Sequence, residues 1–375
     1  MKRILSLSVL AALAASVLFI ACPSQKRNIK IGAILPLTGD AAVYGQRLRE
    51  GIEIAIQEWK DANPQQPVVV DFQDSRMDPK EAVNAVNGLI QRGFRLILGP
   101  YSSSELLAVA PICEKKQTLV LSPGASSPKV TEAGDYVFRI VASDIYDAGV
   151  MATYARRELK ATKAAIVYIN NDYGVGVAKS FDSRFTSLGG TVVYSDAFEP
   201  GMTDFRAYLD KTRKAAPDVV ILIGVKEMGY FLRQMRELGL SFKVVSSGLF
   251  ENPDIVSIAG KAAEGVLYTM PYFDVSGSDS VVTRFHRQFD AMYPGKQPSI
   301  EHALGYDATR VLLNAIKVAG QLPGQVRDAL YKTRDFPGVA GSMTFDANGD
   351  VSKPYGIKVY KGGQFQWLIP VYKMD

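Results

Sequence analysis

The chain has 375 residues, 43 basic and 38 acidic side chains, two histidines, two cysteines and a formal net charge of +5. So small a charge, with no basic cluster and no interleaving of arginine with aromatics, argues against nucleic acid as a partner. Two histidines outside any metal spacing, no Gly-x-Ser-x-Gly elbow and no phosphate-cradling loop leave hydrolytic, metal and nucleotide chemistry without their usual groups.

Met1-Lys2-Arg3 followed by an apolar run over residues 4–20 and Ala21-Cys22 predicts an export signal over residues 1–21. The run is marginal for a transmembrane span. Leu18-Phe19-Ile20-Ala21-Cys22 resembles a lipoprotein cleavage site, with Phe19 where leucine is usual. That likeness predicts Cys22 as a lipid attachment site and residues 22–28 as a lipidated tether; an ordinary signal peptide with an incidental Cys22 is the alternative. With Cys22 lipidated, Cys113 is the sole thiol of the mature chain, so the exported protein is held by its core and not by a disulfide.

From residue 29 onward strand and helix signals alternate: strand 29–37, helix 44–60, strand 68–73, helix 78–91, then two shorter units through residue 130. A second series begins at helix 146–159 and runs through strand 164–170, helix 176–188, strand 191–198, helix 203–215, strand 219–224, helix 227–238 and strand 243–246. Such alternation predicts α/β architecture with parallel sheets covered on both faces, and the length suits two domains. Residues 136–143 and 268–276 read as extended crossovers. Helices 280–293, 301–319 and 324–333 lack a lobe of their own and are expected to return to the first; residues 355–360 and 365–371 close the chain as a hairpin.

Two strand ends carry the functional signal. Leu96-Ile97-Leu98 ends at Gly99-Pro100-Tyr101-Ser102-Ser103-Ser104, and Leu119-Val120-Leu121 ends at Ser122-Pro123-Gly124-Ala125-Ser126-Ser127-Pro128. Each delivers hydroxyls and unpaired N–H groups at a helix start, where the helix dipole favours an anion. Ligands of open parallel sheets sit beyond the carboxyl ends of the strands, so the two ends together make a seat for a small carboxylate. Plain capping fits as well: Ser102-x-x-Glu105 is a capping box, and Ser127-Pro128 an N-cap followed by proline. His286 reads as a surface residue and Glu301-His302 as a helix start. Asp346-Ala347-Asn348-Gly349-Asp350 lacks the spacing of a calcium loop. No catalytic set and no cofactor are expected.

The order of Ile31-Gly32-Ala33-Ile34-Leu35-Pro36-Leu37-Thr38-Gly39, Asp78-Pro79-Lys80-Glu81-Ala82, the two serine-rich ends, Asp172-Tyr173-Gly174-Val175-Gly176, Gly265-Val266-Leu267 and Tyr306-Asp307-Ala308 resembles the leucine/isoleucine/valine-binding family of periplasmic solute receptors, over nearly the whole mature chain. The resemblance implies two Rossmann-like lobes with parallel-sheet cores joined by three hinge crossovers, residues 29–142 with 273–352 forming lobe 1 and 143–272 with 353–375 forming lobe 2. It implies Ser103 and Ser126, with Gly124 and Ala125 beside them, around the ligand carboxylate and ammonium, and Tyr44 and Tyr173 as aromatic walls. Val225 stands where the family places a tyrosine and Gly248 where it places an acid, so either Glu251, three residues on, supplies that charge or the ligand carries no ammonium. The function implied is non-catalytic: a monomeric lipoprotein in the periplasm or at the cell surface, touching the membrane only through its lipid, that delivers a small amino acid or related carboxylate to an ABC transporter permease. A ligand sensor on the same scaffold and an enzyme acting on a carboxylate are the alternatives.

Overall fold

The computed structural model describes residues 28–273 and 277–374, so the signal, the tether and Cys22 lie outside the described residues. The first series forms β1 (Ile29–Leu35), α1 (Ala42–Ala62), β2 (Val68–Asp74), α2 (Pro79–Gln91), β3 (Leu96–Leu98), α3 (Ser103–Lys116), β4 (Leu119–Ser122) and β5 (Val137–Arg139). Its five strands make one parallel sheet in the order β2-β1-β3-β4-β5. The second series forms α4 (Asp144–Arg157), β6 (Lys163–Ile169), α5 (Asp172–Ser187), β7 (Thr191–Phe198), α6 (Arg206–Ala215), β8 (Val219–Ile223), α7 (Glu227–Glu237), β9 (Val244–Ser246), α8 (Pro253–Ala259) and β10 (Leu267–Pro271). The chain then adds α9 (Ser280–Met292), α10 (Ile300–Ala319), α11 (Pro323–Tyr331), β11 (Tyr355–Lys361) and β12 (Gln364–Ile369).

The second sheet runs β12-β11-β10-β9-β8-β6-β7. Its interior strand β8, Val-Val-Ile-Leu-Ile, is buried along its whole length, as a strand covered on both faces must be. The closing hairpin extends this sheet, β11 pairing antiparallel with β10. Residues 268–271 of the expected crossover are therefore part of a paired strand, Leu267–Pro271, whose sheet partners are β9 and β11.

Local signals fix most helix starts. Asp78 caps α2 through its carboxylate, with Pro79 at the first position, and Asn171 caps α5 by accepting from the Gly174 N–H at 2.8 Å. Several expected starts differ: α5, expected from residue 176, begins at Asp172, and α6, expected from residue 203, begins at Arg206. Pro128–Glu132 is a single 3₁₀ turn that the Ser127 side chain does not cap. Helix α10 returns to the first lobe and lies against α1 at very short range, because both faces carry glycine. A Cβ on Gly51 would fall 2.1 Å from the His302 carbonyl oxygen, and one on Gly305 would fall 2.2 Å from that of Leu48. This crossing holds the first turn of α10 against the first sheet's ligand-facing edge.

Candidate functional site

The two serine-rich ends are tied to each other. Ser102 and Glu105 form the expected capping box, Ser102 Oγ accepting from the Glu105 N–H at 3.3 Å and Glu105 Oε2 accepting from the Ser102 N–H at 3.0 Å. Ser103 Oγ accepts from the Ser127 N–H at 3.0 Å, which leaves its own O–H free to donate. Ser122 Oγ donates to the Pro100 carbonyl at 2.6 Å and accepts from the Gly124 and Ala125 N–H groups. The second turn therefore spends its own amides internally. The donors left for an anion are the Ser103 and Ser126 hydroxyls and the first N–H groups of α3, which have no helical acceptor.

These donors border a cavity of about 110 Å³ between the lobes, with Ser103, Gly124 and Ser126 on one wall and Tyr173, Val225 and Gly248 on the other. The lobes also touch directly across the cleft. Ser104 Oγ donates to Asp172 at 2.9 Å, Lys129 pairs with Asp172 at 2.7 Å, and Lys226 pairs with Asp40 at 3.2 Å.

Of the residues singled out from the sequence, Ser103, Gly124, Ser126 and Tyr173 line the cavity. Ala125 is buried behind the turn, its N–H donated to Ser122 Oγ at 2.9 Å. The Tyr173 hydroxyl donates to Ser247 Oγ at 2.6 Å, which fixes the ring as a wall. Tyr44 is fully buried one layer back. It stacks on Tyr101 with centroids 5.8 Å apart, and Tyr101 is the ring that meets the cavity. The Tyr44 hydroxyl instead crosses the cleft, donating to the Leu249 carbonyl at 2.9 Å and accepting from Asn252 at 3.0 Å. Glu251 is turned away from the cavity lining, its carboxylate taken by Tyr268 at 2.8 Å and Lys358 at 2.5 Å.

Two acidic residues outside the expected site stand in the lining instead: Asp147, and Glu301, which the sequence marks only as part of a helix start. Asp147 sits on the first turn of α4, whose Asp144 N–H donates to the Ser126 carbonyl at 2.8 Å, and its charge bears on Tyr173 of the facing wall, so it stands where the two walls meet. Burial pushes the Asp147 carboxyl up to about 6. The Thr269 hydroxyl is close enough to offset part of that penalty, yet neither it nor Asp147 Oδ1 completes a hydrogen bond. Asp144, one turn earlier, is pushed by burial to about 8, with both oxygens unpaired although the Ser126 hydroxyl lies nearby. An ionised carboxylate with no partner in so dry a place calls for a cation or a proton.

Nothing in this arrangement resembles a nucleophile and base. His302 is held neutral, burial lowering it to about 4, and it faces Glu50 at 3.1 Å on the outer side of α10. Among the described residues no group of acids, histidines and cysteines could hold a metal ion, and no helix is long and apolar enough to cross a membrane.

This α/β architecture with two parallel-strand sheet cores recurs in known proteins. The family model described as periplasmic binding protein matches residues 28–364. The chain belongs to the periplasmic binding protein family. Its relatives fall in the branch-chain receptor group: a Leu/Ile/Val-binding protein homolog of Brucella melitensis is 30% identical over 341 residues, 89% of this chain and 90% of the relative. A leucine-binding protein of Thermotoga maritima has the same fold with a TM-score of 0.85 at 32% identity, covering 90% of this chain and 97% of that one. A branched-chain amino acid transporter substrate-binding protein of Streptococcus pneumoniae, solved in complex with isoleucine, gives a TM-score of 0.83 at 27% identity over 92% of this chain and 100% of that one. The periplasmic binding fold thus carries this cavity at the place where its sheets face each other.

Proposed function

We propose that the protein captures a small α-amino acid between its lobes and presents it to an ABC transporter permease, as an exported protein of the periplasm or cell surface that Cys22 anchors to a membrane by lipid. The observation that carries the ligand class is the pairing of two opposite demands in one small cavity. The Ser103 and Ser126 hydroxyls and the α3 N-terminus offer donors to a carboxylate, while Asp147 offers an unpaired carboxylate to an ammonium. In an α-amino acid those two groups are separated by one carbon. A simple carboxylate would satisfy the first demand and leave Asp147 without a partner. The names of the relatives support the same class.

A thermal-shift screen of amino acids and simple carboxylates tests this, because a ligand at 100 times its Kd adds about 2.7 kcal/mol of stability. With the ligand so found, Ser103→Ala and Ser126→Ala are each expected to weaken binding roughly tenfold to a hundredfold. One hydrogen bond to a charged group contributes about 1.5–3 kcal/mol. A merely structural serine gives the opposite pattern, an earlier melt with unchanged affinity. Stabilisation by carboxylates lacking an amine, equal to that by amino acids, would overturn the ligand class.

The anchor is tested separately. Intact mass of the protein extracted from membranes is expected to correspond to a chain starting at Cys22 plus acyl groups. A chain that retains Met1, or one cut elsewhere without acylation, would overturn the lipid anchor.

A further inference from the structure

Glu301 is the least expected group in the cavity. It sits on the first turn of α10, is 3% exposed, and shares its wall with the apolar side chains of Ile300, Leu304 and Tyr101. Its position is built. Oε2 accepts from Ser299 Oγ at 2.6 Å and pairs with Arg47 at 3.3 Å, and the glycine crossing of α1 and α10 fixes the turn from behind. Those contacts need only one oxygen. Oε1 makes no hydrogen bond among the described residues and is not sealed inside the protein, so on a residue that lines the cavity it is the oxygen left accessible to a ligand. A structural role for Glu301 explains Oε2 and leaves Oε1 unexplained.

Glu301 and Asp147 serve different walls. The Glu301 charge bears on the buried phenols of Tyr101 and Tyr44, whereas the Asp147 charge bears on those of Tyr173 and Tyr355. Asp147 is also the carboxylate coupled through α4 to the Ser126 turn, so an ammonium one carbon from a seated carboxylate belongs to Asp147. Glu301 is left facing the ligand's side chain. Its charge is already met by Arg47, which makes a second cation there redundant and a neutral donor sufficient.

Resting on the amino-acid reading above, we infer that Glu301 Oε1 accepts a hydrogen bond from the ligand's side chain, so that the cavity selects amino acids bearing a hydroxyl or carboxamide over wholly aliphatic ones of the same shape. This differs from what the names of the relatives suggest, and the chain's own residues are the reason. A site built to bond a polar group discriminates strongly against the analogue lacking it, because the buried acceptor is then stranded.

Calorimetry with three shape-matched pairs tests the inference: threonine against valine, asparagine against leucine, and glutamine against methionine. The pairs differ in reach, so the donor need not be at one fixed distance. In at least one pair the polar member is expected to bind about tenfold or more tightly. Glu301→Leu should abolish or reverse that preference while amino-acid binding persists. Glu301→Gln keeps the shape and an acceptor, and should retain part of the preference if the Leu variant fails to fold. Equal or tighter binding of the apolar member in all three pairs would overturn the role of Glu301 and leave amino-acid capture standing. Binding of none of the six would remove both readings together.

Discussion

Replacing Asp147 with asparagine is expected to weaken ligand binding by about thirtyfold to several thousandfold while leaving the fold intact. Removing one member of a buried, hydrogen-bonded charge pair costs about 2–5 kcal/mol, much of it the cost of stranding the other charge. The ligand's ammonium would be that stranded charge. Among the described residues no lysine or arginine lines the cavity, so none competes there for Asp147. The unliganded protein should lose nothing, since asparagine has the same shape and removes a charge that burial disfavours. A structural aspartate would show the reverse, an earlier melt and an unchanged Kd.

The pH dependence separates the two cases further. Because burial lifts Asp147 to about 6, the unliganded protein holds a proton there below that pH, and an ammonium must displace it. Affinity should therefore be flat above about pH 6 and fall toward tenfold per pH unit below it. The groups facing this carboxylate are Asp144 on the same helix, the Tyr173 and Tyr355 phenols, and the Thr269 hydroxyl. The phenols are held far above the working range, chiefly by burial. Asp144 is the one neighbour that could blur the slope, so the slope is to be read as the difference between wild type and Asp147→Asn. A titration with the same acid slope in both proteins would sink the assignment.

The elements that build the seat were legible because their signals are local. Apolar runs, Ser102 with Glu105 and Asp78 with Pro79 each act within a few residues, and the strand ends follow from them; the Asn171 cap, which starts α5 four residues before the expected position, is not among those signals. Asp147 and Glu301 were not legible for the same reason. An acidic residue in the first turn of a helix is the ordinary complement to the helix dipole, and only the cavity shows that these two have a different task. Tyr44 and Tyr101 stack as a pair, and nothing in the chain order says which ring faces inward. Glu251 follows the 3₁₀ turn Gly248–Phe250 and meets Lys358, a residue of β11 that comes 107 positions later. Pairing with the same long-range hairpin makes residues 268–271 of the expected crossover part of a strand. Pairing across such a distance leaves no mark in a window of ten residues.

Stability should also respond to pH through Asp144, and Asp144→Asn should remove most of that response. Asp144 is fully buried at the start of α4, just after the chain leaves β5, and neither carboxylate oxygen has a partner. Arg139 bears on it and lowers its pKa somewhat, but that guanidinium is already committed to Asp350 at 2.5 Å and to the Ser127 carbonyl at 2.9 Å. Burial wins, and the carboxyl rises from 3.8 to about 8. The folded protein thus holds a proton that the unfolded chain releases. Stability is full below the unfolded value near pH 4 and declines as pH rises toward about 8, where the folded group finally ionises. At about 1.4 kcal/mol per pH unit the loss is on the order of 5 kcal/mol, with Asp147 adding a smaller loss of the same sign between about pH 4 and 6. Asparagine is neutral at every pH and keeps the shape. The wild-type melting temperature should therefore drop steadily from pH 5 to 8.5, while that of Asp144→Asn falls much less and crosses above it on the alkaline side. Parallel melting profiles for the two proteins would mean that Asp144 is ionised in the fold and paired, and the unpaired geometry around it would have to be abandoned.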